Sequence, residues 1–135
     1  MNKEPAAKGP NVPSLRFVLH EHFAKHHHFD FRLEKENVLK SWAVPKGLPE
    51  SPEDRRLAIE TEDHQRSFIG FAGTIPEGEY GAGEVKIADA GTYRQVVWSK
   101  EKIEVVLSGQ RFSGTYVFVP FRQAGRGQWL LMKKG

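Results

Sequence analysis

The chain is a succession of short β-prone runs separated by turn residues, and no stretch longer than about ten residues keeps a helical period. Residues 29–34 alternate, with Phe29, Phe31 and Leu33 on one face and Asp30, Arg32 and Glu34 on the other. Further runs fall at 16–20, 38–44, 56–61, 84–88, 92–97, 102–107, 115–121 and 128–133. Gly91, Ser108-Gly109, Ser113-Gly114 and Gly125-Arg126-Gly127 punctuate them. Many short strands with turn signals between them predict a mainly β domain, a compact antiparallel barrel. Helical turns are expected only at 24–27 and 52–55. No repeat of 20 to 50 residues is visible, which excludes solenoids and propellers.

Composition narrows the chemistry. With 135 residues the chain is one domain's worth, and a core can form without staples. There is no cysteine, which removes disulfides, thiolate metal sites and a cysteine nucleophile. Residues 1–14 carry three prolines and no apolar periodicity, and are read as a flexible arm before a folded body over 15–135. That start has no apolar stretch fit for a secretory signal, and no run is long enough to span a membrane. A cytoplasmic, monomeric, free-standing protein is expected. A net charge of +3 permits a polyanionic partner without demanding one.

Five of the six histidines lie between positions 20 and 28, and Asp30 and Arg32 follow. On a strand, positions 28, 30 and 32 share a face. His28 and Asp30 then stand about 6–7 Å apart at their bases, a spacing that suits two ligands of one divalent metal. A third imidazole, His22 or His20, would arrive from the preceding strand. Nitrogen and oxygen donors without sulfur suit manganese, zinc or ferrous iron. Arg32, two residues on, would meet an anionic oxygen at that metal. The alternative, a solvated face with surface histidines, fits His26 and His27 best. Elsewhere, Lys46, Arg55 and Arg56 near strand ends suit either phosphate binding or a charged edge. The glycine-rich segment 73–83 lacks the Lys-Ser/Thr of a P-loop and is read as an ordered, architectural turn system. Trp42, Trp98 and Trp129 are expected in the core.

In order along the chain, Arg16-Phe17-Val18 through His22, His28-Phe29-Asp30-Phe31-Arg32-Leu33-Glu34 and Leu39 through Gly47 resemble the phosphoesterase domain of bacterial DNA ligase D and its free-standing bacterial and archaeal relatives. The likeness continues at Glu62-Asp63-His64, at Ile75 through Gly83 and at Gln128-Trp129-Leu130-Leu131. The resemblance implies a compact β-barrel and a manganese (Mn2+) dependent enzyme that heals DNA 3′ ends. Such an enzyme removes a terminal ribonucleoside and then the 3′-phosphate, leaving a 3′-hydroxyl for ligation. It implies His22, His28 and Asp30 as metal ligands, Arg32 and His64 as contacts of the scissile phosphate, and Lys46 and Arg56 as supporting basic residues. It implies DNA or RNA–DNA primer–template 3′ ends as substrate, and the ligase and polymerase of non-homologous end joining as partners. The pattern departs from the family's at Phe68, where a tyrosine is usual and a hydroxyl is lost, and at Phe71-Ala72-Gly73, which lacks an acidic middle residue. The competing reading is a non-catalytic nucleic-acid-binding barrel that assists end joining. A cupin-like metal barrel lacks the later histidine it needs, because His64 is the only histidine beyond position 28.

Overall fold

The computed structural model describes residues 15–135; the arm expected over 1–14 lies outside the described residues. Nine strands follow one another: β1 Leu15–Phe23, β2 His28–Lys35, β3 Val38–Val44, β4 Arg55–Gln65, β5 Gly73–Ile75, β6 Gly83–Trp98, β7 Ile103–Gly109, β8 Ser113–Pro120 and β9 Gln128–Lys133. Every pairing is antiparallel, in the order β1-β2-β3-β4-β9-β8-β7-β6, and β1 pairs with β6 to close an eight-stranded barrel. The short β5 adds to the outer part of β6. Closure leaves the ring of eight strands without a terminal edge strand.

The alternation read from the sequence sets which residues enter the barrel. Phe31 and Leu33 of β2 are fully buried inside it, with Phe17 and Leu19 of β1, Trp42 and Val44 of β3, Tyr116 and Phe118 of β8 and Leu131 of β9. Trp98 and Trp129 pack against this core. The opposite row of β2 is not solvated. Asp30, Arg32 and Glu34 are 7%, 5% and 9% exposed, so a polar face is buried on the outside of the barrel under a second layer of chain. Buried charge is costly unless paired, which marks this outer face as the place to look for function.

Three local expectations change. Residues 24–27 form the bend of the β1–β2 hairpin, between the paired His22 and His28, not a helical turn. Residues 52–54 belong to a turn and Arg55 opens β4; the Asp54 carboxylate accepts from the backbone N–H groups of Glu50 and Ser51. The helical turns lie instead at Arg66–Gly70 and Arg122–Ala124, both 3-10. Gly91 does not end a strand; it lies within the continuous 16-residue β6. A Cβ there would come within 2.2 Å of the Ser108 carbonyl oxygen, so the glycine permits close approach of β7 rather than a turn.

Candidate metal and phosphate site

The site grows from the outer face of β1 and β2. Cross-strand register sets His22 opposite His28 and His20 opposite Asp30. His22, His28 and Asp30 each bring a ligand atom to one point, all within 4.8 Å of one another. His22 Nδ1 lies 3.4 Å from Asp30 Oδ2, and His28 Nε2 lies 3.3 Å from Asp30 Oδ1. The far nitrogen of each ring is engaged. His22 Nε2 donates to the carbonyls of Gly81 and Ala82, at 2.9 and 3.2 Å. His28 Nδ1 donates to the carbonyl of His26 at 2.8 Å. These contacts set the tautomers that turn Nδ1 of His22 and Nε2 of His28 toward the carboxylate, the usual support of metal-binding imidazoles. Two imidazole nitrogens and one carboxylate oxygen fit a divalent first-row ion and would leave coordination positions open. Burial pushes the Asp30 carboxyl up, but the His28 hydrogen bond and the charges of Arg32, His28 and His22 outweigh it and hold it below the ordinary range. The same hydrogen bond raises His28, so a proton and a cation compete for this point.

Arg32 stands beside the cluster and is held on four sides. Its Nε donates to His20 Nδ1 at 3.1 Å; its Nη1 donates to Ser41 Oγ at 2.9 Å and to His64 Nδ1 at 3.1 Å; its Nη2 lies 3.4 Å from Asp30 Oδ2. A guanidinium has five N–H groups, so one on Nη2 is left for a ligand. His64 Nδ1 also lies 3.1 Å from the Glu62 carbonyl, so it accepts from Arg32 in the tautomer protonated on Nε2 and donates to Glu62 in the other. Burial, and then the charge of Arg32, lower its pKa, so the ring is neutral at pH 7. A β-bulge brings it there. Leu39 pairs with His64 while Ser41 pairs with Thr61, so β4 carries one extra residue and His64 turns onto the face of Thr61 and Ser41. The Arg66–Gly70 turn then lays Phe68 over the site, its ring centroid 5.1 Å from the Arg32 guanidinium and 5.0 Å from the His64 ring.

His20 is not one of the three converging residues. Its Nε2 donates to the Phe71 carbonyl at 3.0 Å while its Nδ1 accepts from Arg32, so both nitrogens are taken. It positions the arginine. Burial first, and Arg32 second, lower its pKa to about 4. A histidine depressed in the folded state favours unfolding by protons. Its contribution is complete above pH 6.5 and is lost as pH falls from 6.5 toward 4, where the unfolded chain binds the extra proton. That interval is worth roughly 3 kcal/mol. His20→Gln, which can still accept from Arg32 and donate to Phe71, is expected to flatten the fall of urea-unfolding free energy between pH 7 and 4.5. The opposing effect of His28 is common to both proteins and cancels in the difference. An unchanged slope would remove the buried neutral His20.

The remaining sequence candidates divide. His27 pairs with Glu21 at 2.8 Å, and His26 offers only its carbonyl, so both stand outside the cluster. Lys46 is exposed in the turn after β3. Arg56 lies opposite Leu131 on β9 and reaches Asp54 at 3.5 Å. Neither Lys46 nor Arg56 lines the groove over the site, a groove of about 1150 Å³, large enough for a nucleotide rather than an ion alone. The 73–83 segment is more than architectural: Thr74, Ile75, Glu77 and Tyr80 line the groove, and the carbonyls of Gly81 and Ala82 hold His22. Ser41 and those carbonyls escape motif reading, although the Arg32–Ser41 register would have exposed the first.

Fold and site together define a class: a closed antiparallel barrel whose outer wall carries two histidines, an aspartate and an immobilised arginine beneath a nucleotide-sized groove. The family model of the DNA Ligase D 3′-phosphoesterase domain matches residues 20–120, and the chain belongs to that family. It is 45% identical over 119 residues, 85% of its length, to the multifunctional non-homologous end joining DNA repair protein LigD of Mycobacterium tuberculosis (strain ATCC 25618 / H37Rv). It is 42% identical over 133 residues to LigD of Mycolicibacterium smegmatis, and 38% identical over 139 residues, 96% of the chain, to LigD of Pseudomonas aeruginosa. The matched region is 16–18% of the length of these relatives. Among the described residues no helix is long and apolar enough to cross a membrane.

Proposed function

We propose that this chain is a metal-dependent phosphoesterase that heals DNA 3′ ends for end joining, removing a terminal ribonucleoside and then the 3′-phosphate to leave a 3′-hydroxyl. The observation that carries the reading is the pairing of a three-donor cluster with a buried arginine that keeps one N–H free. His22, His28 and Asp30 would hold the ion, manganese by preference. A divalent ion there supplies positive charge against a phosphoryl oxygen and makes a bound water more acidic. Arg32, unable to rotate among His20, Ser41, His64 and Asp30, offers its remaining N–H to a non-bridging oxygen and stabilises charge that builds as the ester breaks. His64, neutral beside Arg32, donates to a second oxygen or protonates the leaving group in its Nε2-protonated tautomer. Phe68 adds no hydroxyl; it shields the guanidinium from water, which strengthens these contacts. Lys46 and Arg56, off the groove, act at longer range on the approaching polyanion. The substrates are DNA or RNA–DNA primer–template 3′ ends, and the partners are the ligase and polymerase of end joining.

The test is release of inorganic phosphate from a primer–template ending in a 3′-phosphate, with and without manganese. Release that depends on the metal supports the reading. Tight DNA binding with no release in any divalent metal would mean a non-catalytic accessory.

A further inference from the structure

Large hydrophobic side chains that stand exposed among the described residues are Phe23, Tyr80, Ile87 and Val96, and the two aromatic ones both line the groove over the metal cluster. Tyr80 is 77% exposed. That surface is available to a ligand that would bury it. The ring is not on a loose tip. Backbone bonds from Glu79 to Pro76 and from Ala82 to Glu79 fold its loop into consecutive turns. The next two carbonyls, of Gly81 and Ala82, accept from His22. The ring is thus tied through two residues to the metal cluster. Phe23, the other exposed aromatic on the groove, already has partners: it stacks on His27 at 4.8 Å, and the Lys86 ammonium lies 5.5 Å from its centroid. The Tyr80 ring pairs with none of these groups, so its face is free to receive a planar partner.

We propose that Tyr80 is the stacking platform for the nucleobase of the strand terminus whose phosphate lies against Arg32. This rests on the phosphoesterase reading and adds how the end is gripped. The groove is lined by two cationic side chains, Arg32 and Lys25, and by the exposed ring of Tyr80. A cation for the phosphate and a ring for the base are what one nucleotide needs. Every base has a π-face, so the platform recognises that a base is present rather than which one.

The experiment compares a 3′-phosphate primer ending in a normal nucleotide with one ending in an abasic sugar, for wild type, Tyr80→Ala and Tyr80→Phe. The wild type is expected to favour the base-bearing end about thirtyfold in kcat/KM, the mid-range for one base–aromatic stack. Tyr80→Ala should bring the two ends to equal rates, and Tyr80→Phe should restore the preference. A merely structural role would slow both ends alike and leave their ratio unchanged, which overturns the proposal. So does a phenylalanine variant that behaves as the alanine one, because then the hydroxyl and not the ring is in use. Quenching of a terminal 2-aminopurine on binding reads the stack without turnover. If the wild type releases no phosphate, the phosphoesterase reading fails, while quenching lost only in Tyr80→Ala still upholds the platform.

Discussion

Asp30→Ala is expected to abolish manganese-dependent phosphate release, a loss of at least about a thousandfold, beyond what removal of one transition-state donor costs. The carboxylate is the hub of the site. It approaches His22, His28 and Arg32 at 3.4, 3.3 and 3.4 Å. Without it the imidazoles no longer share a charged donor, and the arginine, 5% exposed, loses its counter-charge. Removing one partner of a buried ion pair also costs about 3–5 kcal/mol, so the alanine protein must be shown to melt cooperatively. Asp30→Asn, which keeps the volume and loses the charge, guards against a folding artefact and should be equally inactive. Calorimetric titration with manganese should show binding in the wild type and none in either variant. A folded Asp30→Ala protein that turned over at the wild-type rate would disprove the assignment of this cluster.

Arg32→Lys should lower kcat by about a hundred- to a thousandfold, with a smaller change in KM. Charge is kept in this variant and geometry is not. An ammonium cannot serve His20, Ser41 and His64 as the planar fork does, so it would sit differently and leave acceptors on three strands unpaired. If lysine supported wild-type kcat, Arg32 would be acting only as a point charge, and the cage around it would have no part in the reaction. Steady-state kinetics on the 3′-phosphate primer decide between these outcomes.

Much of this site was legible before any coordinates. Strand parity alone puts His28, Asp30 and Arg32 on one face, because side chains alternate every residue. The preceding strand offered His22 or His20 as the third imidazole, and the register of the hairpin sets His22 opposite His28. What parity could not foresee was an irregularity. The extra residue in β4 rotates His64 onto the Arg32 face; uninterrupted pairing would have put Asp63 there, and Asp63 instead meets Lys40 at 3.0 Å. His20 shows the same limit from the other side. Its position on the strand suits a metal ligand as well as that of His22 does, and only the Phe71 carbonyl, 51 residues away, assigns it to holding the arginine.

From local pattern came the antiparallel β class, the inward row of Phe31 and Leu33, and the polar row that carries the chemistry. Tertiary structure alone decided that this polar row would be roofed over. The roof comes from residues 66–71 and the loop after β5, whose carbonyls and rings reach groups 48 to 60 positions earlier in the chain. Alternation is a property of neighbouring residues and survives in any register. The meeting of distant segments depends on closing the whole barrel, a long-range arrangement stabilised by the core as a unit, and no short stretch of sequence encodes it.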